Sequence, residues 1–87
     1  MANHKDAIKR NKQNAVRRTR NRAGRTRMRN HIKKVRAAVE AGDHAAAMDA
    51  LMDATSVIQR VASKGIIHRN QASRRIARLN AAVKALA

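Results

Sequence analysis

The sequence predicts an all-α fold: an antiparallel three-helix bundle with a long protruding N-terminal helix. Three observations support this fold class. The 87 residues include no proline and no aromatic side chain, and half of the apolar residues are alanine, a strong helix former. Larger apolar side chains recur every three or four positions and do not alternate as in strands. Two of the three glycines, Gly42 and Gly65, fall between apolar stripes, where helices commonly end.

The first helix is predicted from about Asp6 to Ala41, which makes it roughly 50 Å long at about 1.5 Å per residue. Its apolar stripe occupies only the C-terminal part and consists of Met28, Ile32, Val35 and Val39. Gly24 lies inside the helix and should weaken it by about 1 kcal/mol relative to alanine. Two shorter helices can therefore cover only the C-terminal half of the first.

The N-terminal third has too few apolar side chains to pack by itself. Residues 1–27 contain three sizeable ones, Met1, Ile8 and Val16, whose burial would contribute about 6 kcal/mol at ~2 each. Ordering that segment costs roughly 27–54 kcal/mol of backbone entropy, which intrahelical hydrogen bonds offset only in part. We expect residues 1–27 to be a basic arm, frayed in free solution and ordered only on its target, and residues 28–87 to form the bundle.

The second and third helices are predicted to be about 20 and 17 residues long, joined by short loops. Gly42 can end the first helix in the left-handed conformation, and Asp43 can cap the second. Gly65 can end the second helix, and Asn70 is a plausible N-cap for the third. The stripe of the second helix is Ala47, Leu51, Ala54, Ile58 and Val61; that of the third is Ala72, Ile76, Leu79, Val83 and Leu86. Met28, Met48 and Met52 are interpreted as core residues.

Composition excludes several function classes. A chain of this size has little volume for an enclosed catalytic cleft, and the absence of cysteine removes disulfides and thiolate chemistry. The histidines at positions 4, 31, 44 and 68 have no ligand spacing, so no metal site is expected. Asp49 and Asp53 are four residues apart, but on the middle helix they more simply balance neighbouring positive charge. We expect no enzyme, cofactor, small-molecule substrate or homo-oligomer, and no membrane partner because no apolar run approaches ~20 residues.

Charge is the dominant feature of the chain. Lysine and arginine number 21 against 5 acids, a formal net charge of +16. Residues 1–36 carry a net +13, residues 37–63 a net −3 and residues 64–87 a net +6. Such self-repulsion disfavours a compact state without an anionic partner, and a solvated face would mix both signs.

The basic residues form ridges on the predicted helices. One continuous ridge of the first helix comprises Arg18, Arg22, Arg25, Arg29, Lys33 and Arg36, and a shorter one upstream comprises Lys5, Lys9 and Lys12. Beside the apolar stripe of the third helix lie Arg74, Arg75 and Arg78, with Lys64, His68, Arg69 and Asn70 at its entrance. Arginine suits bidentate phosphate contacts. His68 either hydrogen-bonds the loop backbone or contacts a phosphate or ribose.

These patterns predict recognition of folded nucleic acid through its backbone and shape. No aromatic stacking platform of the RRM or OB type is possible, and no zinc finger or zipper is present. A nucleoid-type architectural DNA-binding protein remains the alternative. A cationic membrane-active helix is disfavoured because residues 1–27 have no large apolar face.

The segment that enters the third helix carries the most specific motif. It reads Lys64-Gly-Ile-Ile-His-Arg-Asn-Gln-Ala-Ser-Arg-Arg-Ile-Ala-Arg-Leu79 and is similar to K-G-x-I-H-x-N-K-A-A-R-x-K-S-R-L of the bacterial small-subunit (30S) ribosomal protein S20 family. Weaker similarity covers the opening residues 1–5, the basic runs 17–22 and 27–34, and the junction 37–43. The chain resembles that family along essentially its whole length.

The resemblance implies a non-catalytic, cytoplasmic, ribosome-bound protein with a protruding first helix. It implies direct binding to 16S ribosomal RNA in the 30S subunit, holding several RNA helices together from early in assembly. By position, the RNA-binding candidates are Lys5, Lys9, Arg10, Arg18, Arg22, Arg25, Arg29, Lys33, Lys34, Lys64, His68, Asn70, Arg74 and Arg78. The chain departs from the family pattern at His4, Asn30, Gln71 and Ile76; at Gln71 and Ile76 the family usually or often has a base.

Overall fold

A computed structural model describes the backbone of residues 2–86 and the side chains of residues 5–86. It contains three α-helices joined by short loops: α1, Ala2–Glu40; α2, His44–Ser63; and α3, Arg69–Lys84. The predicted three-helix bundle with a long first helix is confirmed. The predictions about Met1 and the side chain of His4 lie outside the described residues.

The molecule is strongly elongated because α1 extends well beyond its partners. The principal extents are 65 × 21 × 14 Å and the radius of gyration is 17.5 Å, against about 12 Å for a compact domain of this length. Every side chain of residues 5–20 is exposed, including Ile8 and Val16, and partial burial begins at Asn21. The bundle therefore covers only the C-terminal half of α1, as predicted.

Both junctions use the predicted glycines. Gly42 has φ +70° and Gly65 has φ +76°, the left-handed region in which a Cβ is unfavourable. At each junction two backbone bonds close a Schellman motif. Gly42 N–H donates to Val39 and Asp43 N–H to Ala38, at 3.0 and 3.1 Å. Gly65 and Ile66 repeat the pattern at the end of α2, at 3.0 and 3.1 Å.

The two caps that follow these junctions differ from each other. Asp43 caps α2 as predicted, its carboxylate accepting from the backbone N–H of Ala46 at 3.1 Å. The prediction that Asn70 caps α3 is wrong. The N-cap is His68, whose Nδ1 accepts from the backbone N–H of Asn70 at 3.0 Å. Histidine is not among the commonly used N-cap residues, so residue type alone does not predict this cap.

The core contains most of the predicted stripes. Met28, Val35, Ile58 and Val83 are almost completely buried, and Val39, Ile76 and Leu86 are partly buried against the core. The assignment of Met48 and Met52 to the core is wrong, because they are 42% and 69% exposed. At about 100° per residue they lie roughly 100° and 140° round α2 from Ala47, outside the apolar stripe.

The loop between α2 and α3 contributes core residues that the stripes do not include. Ile66 and Ile67 are 7% and 8% exposed. Ile66 reaches across to α1 at Gly24, where an added Cβ would lie 2.7 Å from Ile66 Cδ1 and 3.8 Å from Val61 Cγ2. Gly24 is therefore a site of close approach between α1 and the residues that follow α2. A glycine weakens the helix here, but it leaves room for Ile66.

Candidate nucleic-acid interface

Two cationic ridges run along α1 on different sides of its buried face. The arginine ridge, all of it exposed, comprises Arg18, Arg22, Arg25, Arg29, Lys33 and Arg36. The lysine ridge begins with Lys5, Lys9 and Lys12 and continues in register through Arg20, Arg27 and Lys34, all likewise exposed. At about 100° per residue, the two ridges are about 150° apart. The buried stripe containing Met28 and Val35 lies between them, about 100° from each.

The uncovered part of the arm, residues 5–20, is cationic on its third side as well. Arg10 and Arg17 continue the line of the buried stripe toward the N-terminus, where no second helix covers it, and both are exposed. The arm therefore presents positive charge in three directions, which allows contact with phosphates from more than one backbone. The short Lys5–Lys9–Lys12 ridge seen in the sequence is not an extension of the arginine ridge; it lies on the other side of the helix.

The arginine ridge meets α3 at its C-terminal end. Arg36 of α1 and Arg78 of α3 line the same shallow groove, whose floor includes Val35, Val39 and Leu79 and whose lining also includes Glu40. Arg74 is exposed one turn earlier on α3. The fold thus brings Arg78 to the end of the arginine ridge, although Arg36 and Arg78 are 42 positions apart in sequence.

The lysine ridge meets the end of α2. Lys64 lines a depression together with Arg17, Arg20 and Asn21 of α1, so the predicted residue Lys64 belongs to the lysine ridge side of the molecule. Sequence reasoning placed Arg17, Arg20 and Arg27 only on the flanks of the arm and left Arg60 out of the site. Their proximity to Lys64 depends on the packing of α1 against α2, which residue spacing within one helix does not reveal.

His68 takes the first of the two roles that the sequence left open, a hydrogen bond to the loop backbone. Its Nδ1 accepts a backbone hydrogen bond, so in the neutral imidazole the proton is on Nε2. The side chain is exposed, which leaves Nε2–H available as a donor to a phosphate or ribose oxygen. Asn70 contributes its backbone N–H to the cap, and its own exposed side chain is free for an external contact.

The cations of the described part of the chain are not engaged with their own protein. Among residues 5–86, the side-chain hydrogen bonds involve Thr19, Asp43 and His68, and none involves a lysine or arginine. Arg75 is the one half-buried arginine, with Nε buried and without a partner. Apart from Arg75, the lysine and arginine side chains among residues 5–86 are thus exposed, unpaired donors.

The described residues contain neither a metal cluster nor a membrane-spanning helix. No group of three or more His, Asp or Glu side chains among them is placed to hold a metal ion. None of the three helices, over the residues described, is long and apolar enough to cross a membrane.

Comparison with known proteins identifies the family. The sequence profile of the family described as Ribosomal protein S20 matches residues 2–84. A small ribosomal subunit protein bS20 from Magnetococcus marinus is 62% identical over 87 residues, covering 100% of this chain and 95% of the relative. Proteins of the same description from Desulfatibacillum aliphaticivorans and Shewanella woodyi are 53% and 51% identical, each covering 100% of this chain and 99% of the relative. The chain therefore belongs to the ribosomal protein S20 family.

Proposed function

We propose that this protein is a structural constituent of the small ribosomal subunit that binds 16S rRNA directly. In this proposal α1 and α3 clamp several RNA helices together during assembly, and the protein acts as a single copy on cytoplasmic ribosomes. Membership of a structural ribosomal family makes the chain a non-enzyme, as the composition predicted. The RNA-binding residues proposed are those named from the sequence, joined by Arg17, Arg20, Arg27 and Arg60.

The observation that carries the proposal is the pair of ridges on one extended helix. All side chains of residues 5–20 are exposed, and their cations point in several directions. A helix about 10–12 Å in diameter with positive charge on opposite sides can lie between two RNA backbones and neutralise both. The α2–α3 unit fixes the direction in which that helix leaves the bundle.

The charge of the middle helix sets the orientation on the RNA. Asp49 and Asp53 are exposed on the side of α2 away from the core, next to Met52. Phosphates repel this face, so α2 turns it away from the RNA while both ridges of α1 and the Arg36–Arg78 groove face the RNA. The charge distribution thus selects one docking orientation, which a uniformly cationic protein would not.

The arm is expected to acquire stable helical structure only on RNA. Its side chains over residues 5–20 are all exposed, and most helical stability in proteins comes from tertiary packing of an amphipathic face. Like charges at i,i+4 subtract a few tenths of a kcal/mol per pair. Phosphates between the ridges remove that repulsion, so binding and helix stabilisation are coupled.

Hydroxyl-radical footprinting on full-length 16S rRNA tests the proposal, with a competition arm against random-sequence duplex DNA. We expect backbone protection in at least two separate RNA segments, persisting under an excess of duplex DNA at moderate salt. Equal competition by duplex DNA would support the nucleoid-type alternative instead. Protection of one segment only would contradict the clamp.

A further inference from the structure

A small notch opens between α1 and the C-terminal end of α2. We call it the α1–α2 notch; its volume is about 200 Å³. Its floor is apolar and formed by the backbone of Gly24 with Val57, Val61 and Ile66. The volume is below the range of about 300–1,000 Å³ typical of drug-sized ligand sites, so the notch has room for one small ring system.

The notch exists because of two features at its centre. Gly24 contributes no side chain, and Ile66 Cδ1 lies only 2.7 Å from the position that a Cβ of Gly24 would take. The Schellman turn at Gly65 directs Ile66 back onto α1. The floor is thus held by buried residues and does not depend on a mobile side chain.

The rim of the notch is cationic. Arg20 and Arg27 of α1 face Arg60 and Lys64 of α2 across it, and the lining includes no carboxylate. Arg60 is the single lysine or arginine in residues 37–63, a stretch that otherwise has a net negative charge. The adjoining depression adds Arg17 to Arg20 and Lys64, so the positive rim continues toward the arm.

We propose that the α1–α2 notch binds one unpaired nucleotide of the RNA, a proposal that rests on the RNA-binding function above. The base enters the notch and lies on the floor formed by Gly24, Val61 and Ile66. The flanking phosphates contact Arg20 and Lys64, and the guanidinium of Arg60 covers the outer face of the base. Arginine planes stack on bases, which supplies the stacking that this chain, without aromatic residues, cannot otherwise provide.

An unpaired nucleotide fits these features better than a phosphate alone. A phosphate on a helix backbone would use the rim but leave the apolar floor exposed to water. A base removes that surface from water while its own phosphates stay on the rim. The resulting recognition selects an RNA bulge or loop position, since a paired base cannot reach the floor.

The test uses the full chain and full-length 16S rRNA with two readouts. Hydroxyl radicals report the backbone footprint. Dimethyl sulfate reports the exposure of unpaired adenine and cytosine, and a water-soluble carbodiimide reports that of unpaired guanine and uracil. The test variant is Ala23→Leu, because Ala23 is an exposed α1 residue that lines the notch and leucine fills it without changing charge. The matched control is Ala45→Leu on the exposed outer side of α2.

We expect wild-type protein and the control to reduce the reactivity of at least one unpaired base at least fivefold. Ala23→Leu should lose this base protection and keep the backbone footprint. The notch proposal would be overturned if the backbone footprint formed but Ala23→Leu changed the protection of no base. The RNA-binding function would then remain intact. Absence of both footprints with wild-type protein would overturn the function itself.

A second variant keeps the test decisive if Ala23→Leu perturbs folding by circular dichroism. Arg60→Gln leaves the floor unchanged and removes one rim cation from a helix that carries neither ridge. We expect the same base to be at least threefold more reactive in the complex with Arg60→Gln than in the complex with wild-type protein. The rest of the backbone footprint should be retained. Unchanged base reactivity in Arg60→Gln would contradict the proposed role of the rim.

Discussion

The side chain of Ile66 occupies the space above Gly24: a Cβ atom on Gly24 would lie 2.7 Å from Ile66 Cδ1. The two residues are far apart in sequence, yet their contact marks the point where α1 leaves the bundle. Toward the N-terminus of Gly24, burial falls from partial at Asn21 to full exposure over residues 5–20. This contact therefore separates the part of α1 that the protein packs from the part proposed to pack on RNA.

The Gly24–Ile66 contact predicts a coupling between two substitutions. In wild type, Gly24→Ala gains up to about 1 kcal/mol of helix propensity but forces Ile66 to move, which offsets most of the gain. Ile66→Val removes Cδ1, so Gly24→Ala in that background should stabilise by nearly the full ~1 kcal/mol. Urea denaturation of the four proteins measures the coupling. The same effect of Gly24→Ala in both backgrounds would contradict the contact.

The cap of α3 predicts a difference between neighbouring residues. His68→Ala removes the acceptor for the Asn70 N–H and should lower the free energy of unfolding by about 0.5–2 kcal/mol. His68→Asn should restore most of the loss, because asparagine is a good N-cap. Asn70→Ala keeps the backbone donor and should change stability by less than about 0.5 kcal/mol. A larger loss for Asn70→Ala than for His68→Ala would restore Asn70 as the cap.

The arginine ridge predicts a change in the salt dependence of binding. Replacing Arg22, Arg25 and Arg29 by alanine should weaken rRNA binding and reduce the magnitude of the log Kobs against log salt slope by about 2–3, at ~0.7–0.9 per phosphate. Melting of the bundle should change little because all three side chains are exposed. Filter binding over a salt series measures the slope.

The control for the ridge variant changes net charge at a distance from it. Asp49→Asn with Asp53→Asn removes two negative charges from the exposed side of α2. This variant should keep the salt slope within about half a unit of the wild-type slope. An unaltered slope in the triple arginine variant would remove those side chains from the interface. A comparable change of the slope in the opposite direction in the aspartate variant would show that only total charge matters.

The revised core predicts unequal roles for the methionines. Met28 is 2% exposed and Met52 is 69% exposed. Met28→Ala should cost about 2–5 kcal/mol, whereas Met52→Ala should stay within about 0.5 kcal/mol. Thermal or urea unfolding checks both. Comparable losses for the two variants would show that Met52 is buried after all.

Local periodicity predicted most of the fold but could not predict contacts between helices. The stripes around Val35, Ile58 and Val83 and the turns at Gly42 and Gly65 follow from residue spacing and glycine chemistry. Met48 and Met52 are hydrophobic but lie outside the apolar stripe of α2 and are exposed, so residue type alone predicts their burial wrongly.

The candidate site was predictable to a similar extent. The arginine ridge is visible in one helix, so its residues were found from spacing alone. The notch cations Arg27 and Arg60 come together only when α1 packs on α2, and the role of Gly24 requires knowledge of Ile66. Proximity created by tertiary packing leaves no periodic signal in either segment.

Hydrogen–deuterium exchange of the free protein and of its complex with 16S rRNA measures whether the arm needs RNA for stable structure. We predict that amides of residues 5–20 exchange rapidly in the free protein and become protected at least about a hundredfold on RNA. The amides of residues 28–84 should already be protected before RNA is added. Equal protection of residues 5–20 in the free and RNA-bound states would contradict an arm that depends on RNA for its stable structure.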